Sequence, residues 1–287
     1  MLLPADAHVH TEWSWDAGSD PESAGTMERT CARAVRIGLS ALIFTEHLDL
    51  ETTWRTDPGD LGHHAEKYRS RDGSVHLPTF DLEGYLESIE RCRHAFPELH
   101  ILTGVEYGQP HLHDERAAPI LRAGGFDRIN GSLHTLPFPE SGDGESRTEP
   151  TTLYHHRSPD DVMVSYLEEI PRMVDGSGTF ETFTHIDYAV RSWPSEAAGP
   201  FDPRRFEGLF RSALRSLATS GRALEMNTRR LWSWIPQWWA EEDGRAVSFG
   251  SDAHDTQGLA AGFPEAVQMA EHFGFRAGAR PWDFWTR

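Results

Sequence analysis

Two pairs of residues near the ends of the chain have the types and the spacing of metal ligands. His8 and His10 lie two residues apart in a short stretch with strand-like alternation, and Asp252 and His254 follow the apolar run 246–249 with the same spacing. Side chains two residues apart in a strand point to the same face, so each pair can grip one cation. A single His-x-His motif is equally consistent with surface histidines. A fold that brings both pairs together favours a metal centre.

Polar side chains also follow the other apolar runs of the chain. These runs are residues 39–44, 100–105, 125–129, 180–184 and 222–226. The polar residues that follow them are, in the same order, His47, Glu106, His134, His185 and Arg229. Because these residue types bind metals or phosphate and recur at the ends of apolar runs, one shared metal site is favoured over scattered core histidines.

Helical periodicity between the apolar runs indicates that the runs are strands separated by helices. Helices are predicted at about residues 22–37, 80–96, 159–174 and 203–220. Seven strands that alternate with helices predict a parallel sheet closed into a barrel, whose functional site lies at the carboxyl ends of the strands. No internal repeat or break divides the chain, so we predict that residues 1–287 form a single α/β domain of the TIM-barrel type.

Two long polar segments are predicted to lie outside the barrel as surface loops. Residues 48–79 are too long for an ordinary connection, which is typical of an active-site lid or of a disordered segment. Residues 137–158 are rich in Gly, Ser, Pro and acidic residues and are predicted to form the second loop. His63 and His64 are expected to be solvated, with substrate contact as the alternative.

Composition restricts the classes of function that fit the chain. No apolar run approaches the about 18 residues of a membrane span, so neither a transmembrane helix nor a signal peptide is expected, and a cytoplasmic location is predicted. Cys31 and Cys92 have no CxxC spacing and are expected to be buried thiols. A net charge of -18 disfavours nucleic-acid binding. It also requires that a site for an anionic substrate be locally positive, which bound metal ions provide.

The motifs formed by these residues resemble those of the PHP (polymerase and histidinol phosphatase) family. They are His8-Val9-His10, Glu46-His47, Gly104-Val105-Glu106, Gly131-Ser132-Leu133-His134, His185-Ile186-Asp187 and Gly250-Ser251-Asp252-Ala253-His254. The motifs occur in the family's order between residues 6 and 255, which is nearly the whole chain. The stretches RINGSLHTL, THIDYAVR, ALEMNT and FGSDAHD are most similar to the histidinol-phosphatase branch.

The resemblance implies a distorted (β/α)7 barrel that holds two or three divalent metals at its strand ends. The ligands implied for the first metal are His8, His10, Glu106 and Asp252. Those implied for the second are Glu106, which bridges the two metals, His134 and His185. Those implied for the third are His47, His254 and Asp16, the last at a position that relatives often fill with histidine. Zn²⁺, Mn²⁺ and Fe²⁺ accept these ligands, so the identity of the metal and the occupancy of the third site stay open.

The same resemblance implies a phosphatase that acts on a small phosphomonoester, with L-histidinol phosphate as the best candidate. Three divalent cations would exceed the negative charge of Asp16, Glu106 and Asp252 and would leave a positive site that suits a phosphate dianion. A metal-bound hydroxide is expected to attack phosphorus in line. The residues predicted to be catalytic are Glu106, Asp252 and His254.

Several polar residues are predicted to support this chemistry. Arg191 and Arg229 lie where they could clamp the phosphate, and the alternative is that they are surface arginines. His254 or a metal-bound water could protonate the leaving alkoxide. Asp6, on the same strand face as His8, is expected to accept a hydrogen bond from that imidazole. The alternative for Asp6 is that it binds metal itself. Glu46 and Asp187 have the same two alternatives, and Glu46 could also be turned away toward the helices.

Two other readings of the same residues remain. A phosphodiester, a nucleotide or another sugar phosphate could replace the phosphomonoester while the metals stay the same. A non-catalytic barrel with a structural role is the second alternative, but it predicts lost ligands, and here each motif position holds a competent ligand type. The oligomeric state is left open.

Overall fold

The computed structural model describes residues 3–17 and 26–287, and its centre is a sheet that curls into a barrel. Its strands are β1 (Asp6–Val9), β2 (Ala41–Leu48), β3 (His100–Gly108), β4 (Arg128–Ser132), β5 (Leu136–Pro137), β6 (Arg147–Thr148), β7 (Thr182–Phe183), β8 (Ala223–Asn227), β9 (Ala246–Gly250) and β10 (Trp285–Thr286). Its α-helices are α1 (Met27–Ile37), α2 (Leu82–Ala95), α3 (Pro110–Gly124), α4 (Pro150–His156), α5 (Pro159–Gly176), α6 (Tyr188–Arg191), α7 (Ser195–Ala198), α8 (Glu207–Ser220), α9 (Trp234–Glu241) and α10 (Phe263–His272). Short 3₁₀ helices lie at Glu66–Tyr68, Pro139–Ser141 and Pro203–Phe206.

The barrel is built from parallel strands in the order β1-β2-β3-β4-β7-β8-β9. It closes where the backbone just beyond β9 returns to β1. There the amide of Asp252 donates to the carbonyl of His8 at 2.8 Å, and the amide of His10 donates to the carbonyl of Ala253 at 2.9 Å. The predicted seven-stranded α/β barrel is therefore confirmed.

The barrel is distorted at this closure because β1 accompanies β9 only near the carboxyl end of β9. The other end of β9 pairs instead with the antiparallel strand β10, in which Trp285 faces Val247 and Thr286 faces Ala246. The amide of Ala5 donates to the carbonyl of Pro281 at 2.8 Å, which ties β1 to the same C-terminal segment. The end of the chain thus covers a strand edge that would otherwise expose unpaired backbone groups.

The strands are buried on both faces, because the barrel interior lies on one side and the helices pack on the other. All eight positions of β2 are buried. Helix α1 begins after Thr26, whose side chain accepts a hydrogen bond from the amide of Arg29, and it ends at Gly38, whose φ of 75° favours glycine. Cys31 and Cys92 are free thiols buried in the core, which confirms that prediction.

The prediction that residues 137–158 form a loop is wrong for much of that segment. Strand β5 pairs with β6 as a short hairpin, and α4 follows at once. Thr152 and Leu153 of this helix are fully buried. A helix of seven residues is too short to produce a recognisable periodicity, which is why the sequence did not reveal it.

Residues 48–79 are largely irregular, as predicted, but they are not detached from the barrel. Trp54 is 1% exposed, and the backbone of this segment is joined to the β5–β6 hairpin. The amide of Arg55 donates to the carbonyl of Arg147 at 2.9 Å, and the amide of Arg147 donates to the carbonyl of Thr53 at 3.0 Å. The two segments therefore form one packed layer.

Smaller differences concern the ends of predicted elements. Residues 18–25, which include the start of the predicted helix 22–37, lie outside the described part of the chain, and α1 is seen from Met27. The predicted helix 203–220 begins with a 3₁₀ turn before α8. Over residues 3–17 and 26–287, the helices are all too short or too polar to cross a bilayer.

Candidate metal centre and active site

Histidine and carboxylate side chains from the carboxyl ends of the barrel strands converge on one volume. Among the described residues, four groups place one ligand atom from each of three members within 4.8 Å of one another. The groups are His8, His10 and Asp252; His8, Glu106 and His185; His10, His47 and His254; and His47, Glu106 and His134. The Oδ2 atom of Asp16 lies 3.2 Å from Nε2 of His47 and 2.9 Å from Nε2 of His254. The structure therefore brings together all nine residues that were predicted to bind metal.

Glu106, in β3, lies at the centre of this cluster. Its Oε2 atom is 3.3 Å from Nε2 of His8 and 3.3 Å from Nε2 of His10. Its Oε1 atom is 2.7 Å from Nε2 of His185 and 3.3 Å from Nε2 of His134. Oε2 also lies 3.1 Å from Nδ1 of His47. Because the two oxygens face different sets of imidazoles, this carboxylate is placed where it could be shared between two cations.

The Nε2 atoms of His8 and His10 are better placed to bind a shared cation than to form a hydrogen bond with each other. Their Nε2 atoms lie 3.0 Å apart, and Oδ1 of Asp252 is 3.8 Å and 3.6 Å from them. The Nδ1 atoms face Glu225 at 2.5 Å and Ser14 at 2.9 Å, where each can donate a proton. Both Nε2 lone pairs then point at one position, which a divalent cation satisfies together with the carboxylate.

Burial and neighbouring charges shift the pKa values of the cluster in both directions. Burial, together with repulsion from neighbouring histidines, lowers the pKa of His10 to about 3, so this imidazole is neutral. Burial alone would raise the pKa of the Glu106 carboxyl, but His8 and the other histidines around it hold that pKa well below its usual range. The Arg191 guanidinium does the same for the pKa of Asp252 against the effect of burial. Neighbouring carboxylates raise the pKa values of four other imidazoles against the effect of burial, namely those of His8, His47, His134 and His254. Divalent cations bind neutral imidazoles and ionised carboxylates, so cation binding at these four residues would displace protons.

The prediction that Asp6 orients the imidazole of His8 is wrong. The acceptor for Nδ1 of His8 is Glu225, in β8 across the barrel. The carboxylate of Asp6 instead accepts hydrogen bonds from the amide and hydroxyl of Ser251 at 2.9 Å and 2.6 Å and from the amide of Ala260 at 2.9 Å. Asp6 therefore fixes the loop after β9, which carries Asp252 and His254, and acts on the site through that loop.

Sequence reasoning did not identify Glu225, although a charged residue inside the apolar run 222–226 was a usable signal. Its Oε2 atom also accepts a hydrogen bond from the amide of His185 at 2.8 Å. The contact with His8 passes beside Gly250. A Cβ atom there would lie 2.2 Å from Oε1 of Glu225 and 2.5 Å from Cβ of His8. Only glycine leaves room for this carboxylate to reach the imidazole.

Glu46 is turned away from the cluster and supports it through Ser14. The Ser14 hydroxyl donates to Oε2 of Glu46 at 2.6 Å and lies 2.9 Å from Nδ1 of His10. The amide and hydroxyl of Thr11 donate to the same carboxylate at 2.9 Å and 2.6 Å. Because the hydroxyl proton of Ser14 is committed to Glu46, Ser14 can only accept from Nδ1 of His10, which leaves Nε2 of His10 without a proton.

Asp49, one residue beyond β2, has an equivalent role that the sequence did not reveal. Its carboxylate lies 3.1 Å from Nδ1 of His134 and 3.3 Å from Nδ1 of His47, and it accepts a hydrogen bond from the indole of Trp15 at 2.9 Å. A Cβ atom at Gly108 would lie 1.9 Å from Oδ1 of Asp49. Asp49 therefore holds the imidazole of His134, while Nδ1 of His47 lies slightly nearer to Oε2 of Glu106, at 3.1 Å.

A cavity of about 320 Å³ is lined by much of the cluster and by residues from both long insertions. Its other walls include Trp15, Trp54, residues 61–65, Glu149, Tyr188, Arg191 and Arg229. His63 and His64 are exposed, as predicted, and also lie on the wall of this cavity, so the two alternatives for them are compatible.

The two predicted arginines both reach the cavity beside Asp252. Nη1 of Arg191 lies 2.8 Å from Oδ2 of Asp252, and its Nε and Nη2 atoms are buried without a hydrogen-bond partner. Nη1 of Arg229 lies 3.7 Å from the same oxygen, and its side chain is 56% exposed. Asp187 is not part of the cluster, because it accepts a hydrogen bond from the indole of Trp232 at 3.1 Å.

These features define the chain as an α/β barrel of the class that can hold divalent metal ions at the carboxyl ends of its strands. The family model of the PHP domain matches residues 6–229. The chain therefore belongs to the PHP domain family, in its histidinol-phosphatase-like branch, as its motifs predicted.

Two relatives are similar along most of the chain. The probable histidinol-phosphatase of Thermotoga maritima is 30% identical over 278 residues, which cover 94% of this chain and 92% of the relative. The histidinol-phosphatase of Lactococcus lactis subsp. lactis is 25% identical over 259 residues, which cover 87% of this chain and 83% of the relative.

Two solved structures share the fold. The histidinol phosphate phosphatase from Lactococcus lactis, in a complex with zinc, L-histidinol and phosphate, has a TM-score of 0.74 and 19% identity, and covers 100% of this chain and 98% of that one. The putative histidinol phosphatase from Listeria monocytogenes has a TM-score of 0.70 and 17% identity, and covers 91% of this chain and 99% of that one. At these identities the likeness concerns the fold.

Proposed function

We propose that the chain is a metal-dependent phosphatase that hydrolyses L-histidinol phosphate to L-histidinol and phosphate. One observation carries the chemistry: nine imidazole and carboxylate side chains converge at one end of the barrel, and seven of them line a single small cavity together with two arginines. The choice of substrate is supported by the names of the relatives that match along most of the chain. A compact cavity suits a small phosphorylated molecule.

We assign the metal ligands as the sequence motifs imply. One ion would be bound by His8, His10, Glu106 and Asp252, a second by Glu106, His134 and His185, and a third by Asp16, His47 and His254. Imidazole and carboxylate ligands suit Zn²⁺, Mn²⁺ or Fe²⁺, and the zinc in the Lactococcus lactis complex favours zinc. When bound, such ions acidify a water molecule and neutralise the phosphoryl oxygens.

Arg191 is the residue best placed to hold the phosphate. Its Nη1 atom is committed to Asp252, while Nε and Nη2 are buried and without partners. Buried donors without partners are costly, and two of them on one planar guanidinium match two phosphate oxygens. Arg229 is more exposed and would add a weaker contact from the rim of the cavity.

His254 is the side chain we assign to the leaving group when the third metal is absent. Its Nδ1 atom lies 3.0 Å from the carbonyl oxygen of Asp252, and its Nε2 atom lies 2.9 Å from Asp16. The ring is therefore oriented by two acceptors while it borders the cavity. Asp16 and His254 both line the cavity, and the proton that Nε2 shares with Asp16 would pass to the alkoxide as the ester bond breaks, which leaves a neutral imidazole.

A panel of phosphate esters tests the proposal with the zinc-loaded protein. We expect kcat/KM for L-histidinol phosphate to exceed that for p-nitrophenyl phosphate, glycerol 3-phosphate, a nucleoside monophosphate and bis(p-nitrophenyl) phosphate. Metal-free protein is the control and should be inactive on all five. Equal turnover of histidinol phosphate and p-nitrophenyl phosphate would reject histidinol phosphate as the specific substrate but retain the phosphatase activity. A preference for the diester would support the phosphodiesterase alternative.

A further inference from the structure

Glu149 is a buried carboxylate on the wall of the active-site cavity, and it has no partner. It is 8% exposed, and within residues 3–17 and 26–287 its carboxylate makes no hydrogen bond or ion pair. Burial raises its pKa to about 8, and the carboxylates of Asp49 and Asp60 add to this effect while His134 opposes it. An acid in such a place lacks a counter-charge.

Glu149 also lacks a hydrogen bond to the helix that it precedes. Glu149 immediately precedes α4, where the amides of the first helical turn favour a negative charge. Its side chain makes no cap there and lines the cavity instead. The carboxylate therefore borders the cavity without a donor from the helix that follows it.

The backbone around Glu149 is held in place by the two insertions beside the barrel. Leu136, two residues after His134, pairs with Thr148 in the hairpin, so Glu149 follows the last rung of that ladder. On the other side, the hydroxyl of Thr152 donates to Asp60 at 2.7 Å. A carboxylate held in advance at a fixed place binds a ligand without first losing conformational entropy.

Resting on the proposed function, we infer that Glu149 recognises the leaving alcohol by binding the ammonium group next to its phosphate-bearing carbon. The phosphate end of the substrate is accounted for by Arg191, Arg229 and the metal ligands, which leaves Glu149, among the described residues, as the acidic cavity residue without a partner. A cation bound beside it would favour the ionised form of this carboxyl group. An ammonium ion supplies both the charge and the hydrogen-bond donors that the carboxylate lacks. Glu149 is thus a specificity-determining residue.

The test compares L-histidinol phosphate with 3-(imidazol-4-yl)propyl phosphate, which has the same ring and a similar leaving alkoxide but no amine. In the zinc-loaded protein, Glu149→Gln should lower kcat/KM for histidinol phosphate by about 10- to 100-fold and for the analogue by less than about twofold. Inhibition by L-histidinol should weaken by the same factor, and inhibition by inorganic phosphate should not change. Glu149→Asp keeps the charge and should retain part of the preference.

Glu140→Gln is the matched control, because Glu140 lies in the same insertion, is paired with Arg157 at 2.6 Å and does not line the cavity. This control should leave kcat/KM unchanged for both substrates. Glu149→Gln should unfold at no lower temperature than the wild type, since it removes an unpaired buried acid. Equal losses on both substrates would show that Glu149 serves as a proton donor or a structural support, and an unchanged histidinol phosphate rate would reject any role; either result overturns the inference.

Failure of the proposed function gives a different result. In that case the wild type does not prefer histidinol phosphate over p-nitrophenyl phosphate, whatever residue 149 is. The inference is then tested with 2-aminoethyl phosphate against propyl phosphate, which differ in the same ammonium group. Glu149→Gln must still reduce the ratio of their kcat/KM values, and an unchanged ratio overturns the assignment of Glu149.

Discussion

At the scale of single residues, the metal-ligand imidazoles are paired with buried polar groups that determine which ring nitrogen carries the proton. Glu225 and Ser14 occupy the Nδ1 sides of His8 and His10, so both rings present Nε2 to the same point. Hydrogen bonds of this kind fix the tautomer and the orientation of an imidazole before a metal arrives. Glu106 differs from these imidazoles, because its two oxygens face different groups.

Replacing Glu106 by alanine is expected to empty two sites at once. The variant should lose metal from both positions that the carboxylate faces, and kcat/KM for phosphate esters should fall by about 100- to 1,000-fold or more. Elemental analysis of the purified variant and steady-state kinetics measure the two effects. Glu140→Ala, at an exposed position, is the control. A variant that remained fully metallated and active would show that Glu106 does not bridge the metals.

Replacing Arg191 by alanine is expected to weaken phosphate binding. The KM for histidinol phosphate should rise by about 10- to 100-fold, because two buried donors are lost from the phosphate position. Arg229→Ala is the matched comparison and should have a smaller effect, since its side chain is 56% exposed. Initial-rate kinetics and inhibition by inorganic phosphate provide the measurements. An unchanged KM in the Arg191 variant would remove this residue from the substrate site.

At the scale of elements, the barrel brings the ends of β1, β8 and β9 close enough for side chains to bond across an intervening strand. Gly250, at the end of β9, is the residue that makes this approach possible, because a side chain there would overlap both His8 and Glu225. The two long insertions meet on the other side of the site and supply cavity walls that the barrel itself does not provide. Loops that carry specificity on a rigid barrel are the usual arrangement in this architecture.

A methyl group at Gly250 should disturb the protein out of proportion to its size. Gly250→Ala is expected to lower the free energy of unfolding by about 1 to 3 kcal/mol and to reduce the metal content, because His8 and Glu225 must separate. Gly208→Ala is the control, since a Cβ atom there meets nothing within 4 Å and the position is helical. That control should be neutral or stabilising by up to about 1 kcal/mol. Urea denaturation followed by circular dichroism decides, and equal stability of the Gly250 variant and the wild type would contradict the packing argument.

At the scale of the whole molecule, a chain with a net charge of -18 gathers histidines and carboxylates into a small part of its volume. Bound divalent cations would make this region locally positive against the acidic background and attract a phosphorylated substrate. The same cations would stabilise the fold, since they bind the assembled site and not the unfolded chain.

Removing the metals is therefore expected to lower the melting temperature without unfolding the barrel. Treatment with a chelator should reduce Tm by about 5 to 10 °C, which corresponds to a few kcal/mol for a protein of this size. Differential scanning calorimetry measures the change, and addition of zinc should restore the original value. The far-ultraviolet circular dichroism should be retained, because the core is apolar. A Tm that did not respond to chelation would argue against occupied metal sites.

The sequence by itself determined the barrel and the residues that gather at its strand ends. The alternation of apolar runs with helical periodicity defined the parallel sheet, and the placement of His47, Glu106 and His134 just past such runs brought them to the same end of it. These predictions succeeded because the direction of a side chain in a strand and the parallel order of strands follow from local geometry.

Only the tertiary structure decided which partners support those residues. Asp6 and Glu225 were equally available to His8 by residue type, and the choice depended on the contact between strands 217 residues apart in sequence. No periodic pattern in the sequence likewise reveals the role of Asp49, the helix α4 or the unpaired carboxylate of Glu149. The stagger and closure of the barrel determine which group contacts the second nitrogen of an imidazole and which carboxylate is left without a partner. Local spacing in the sequence does not encode these contacts.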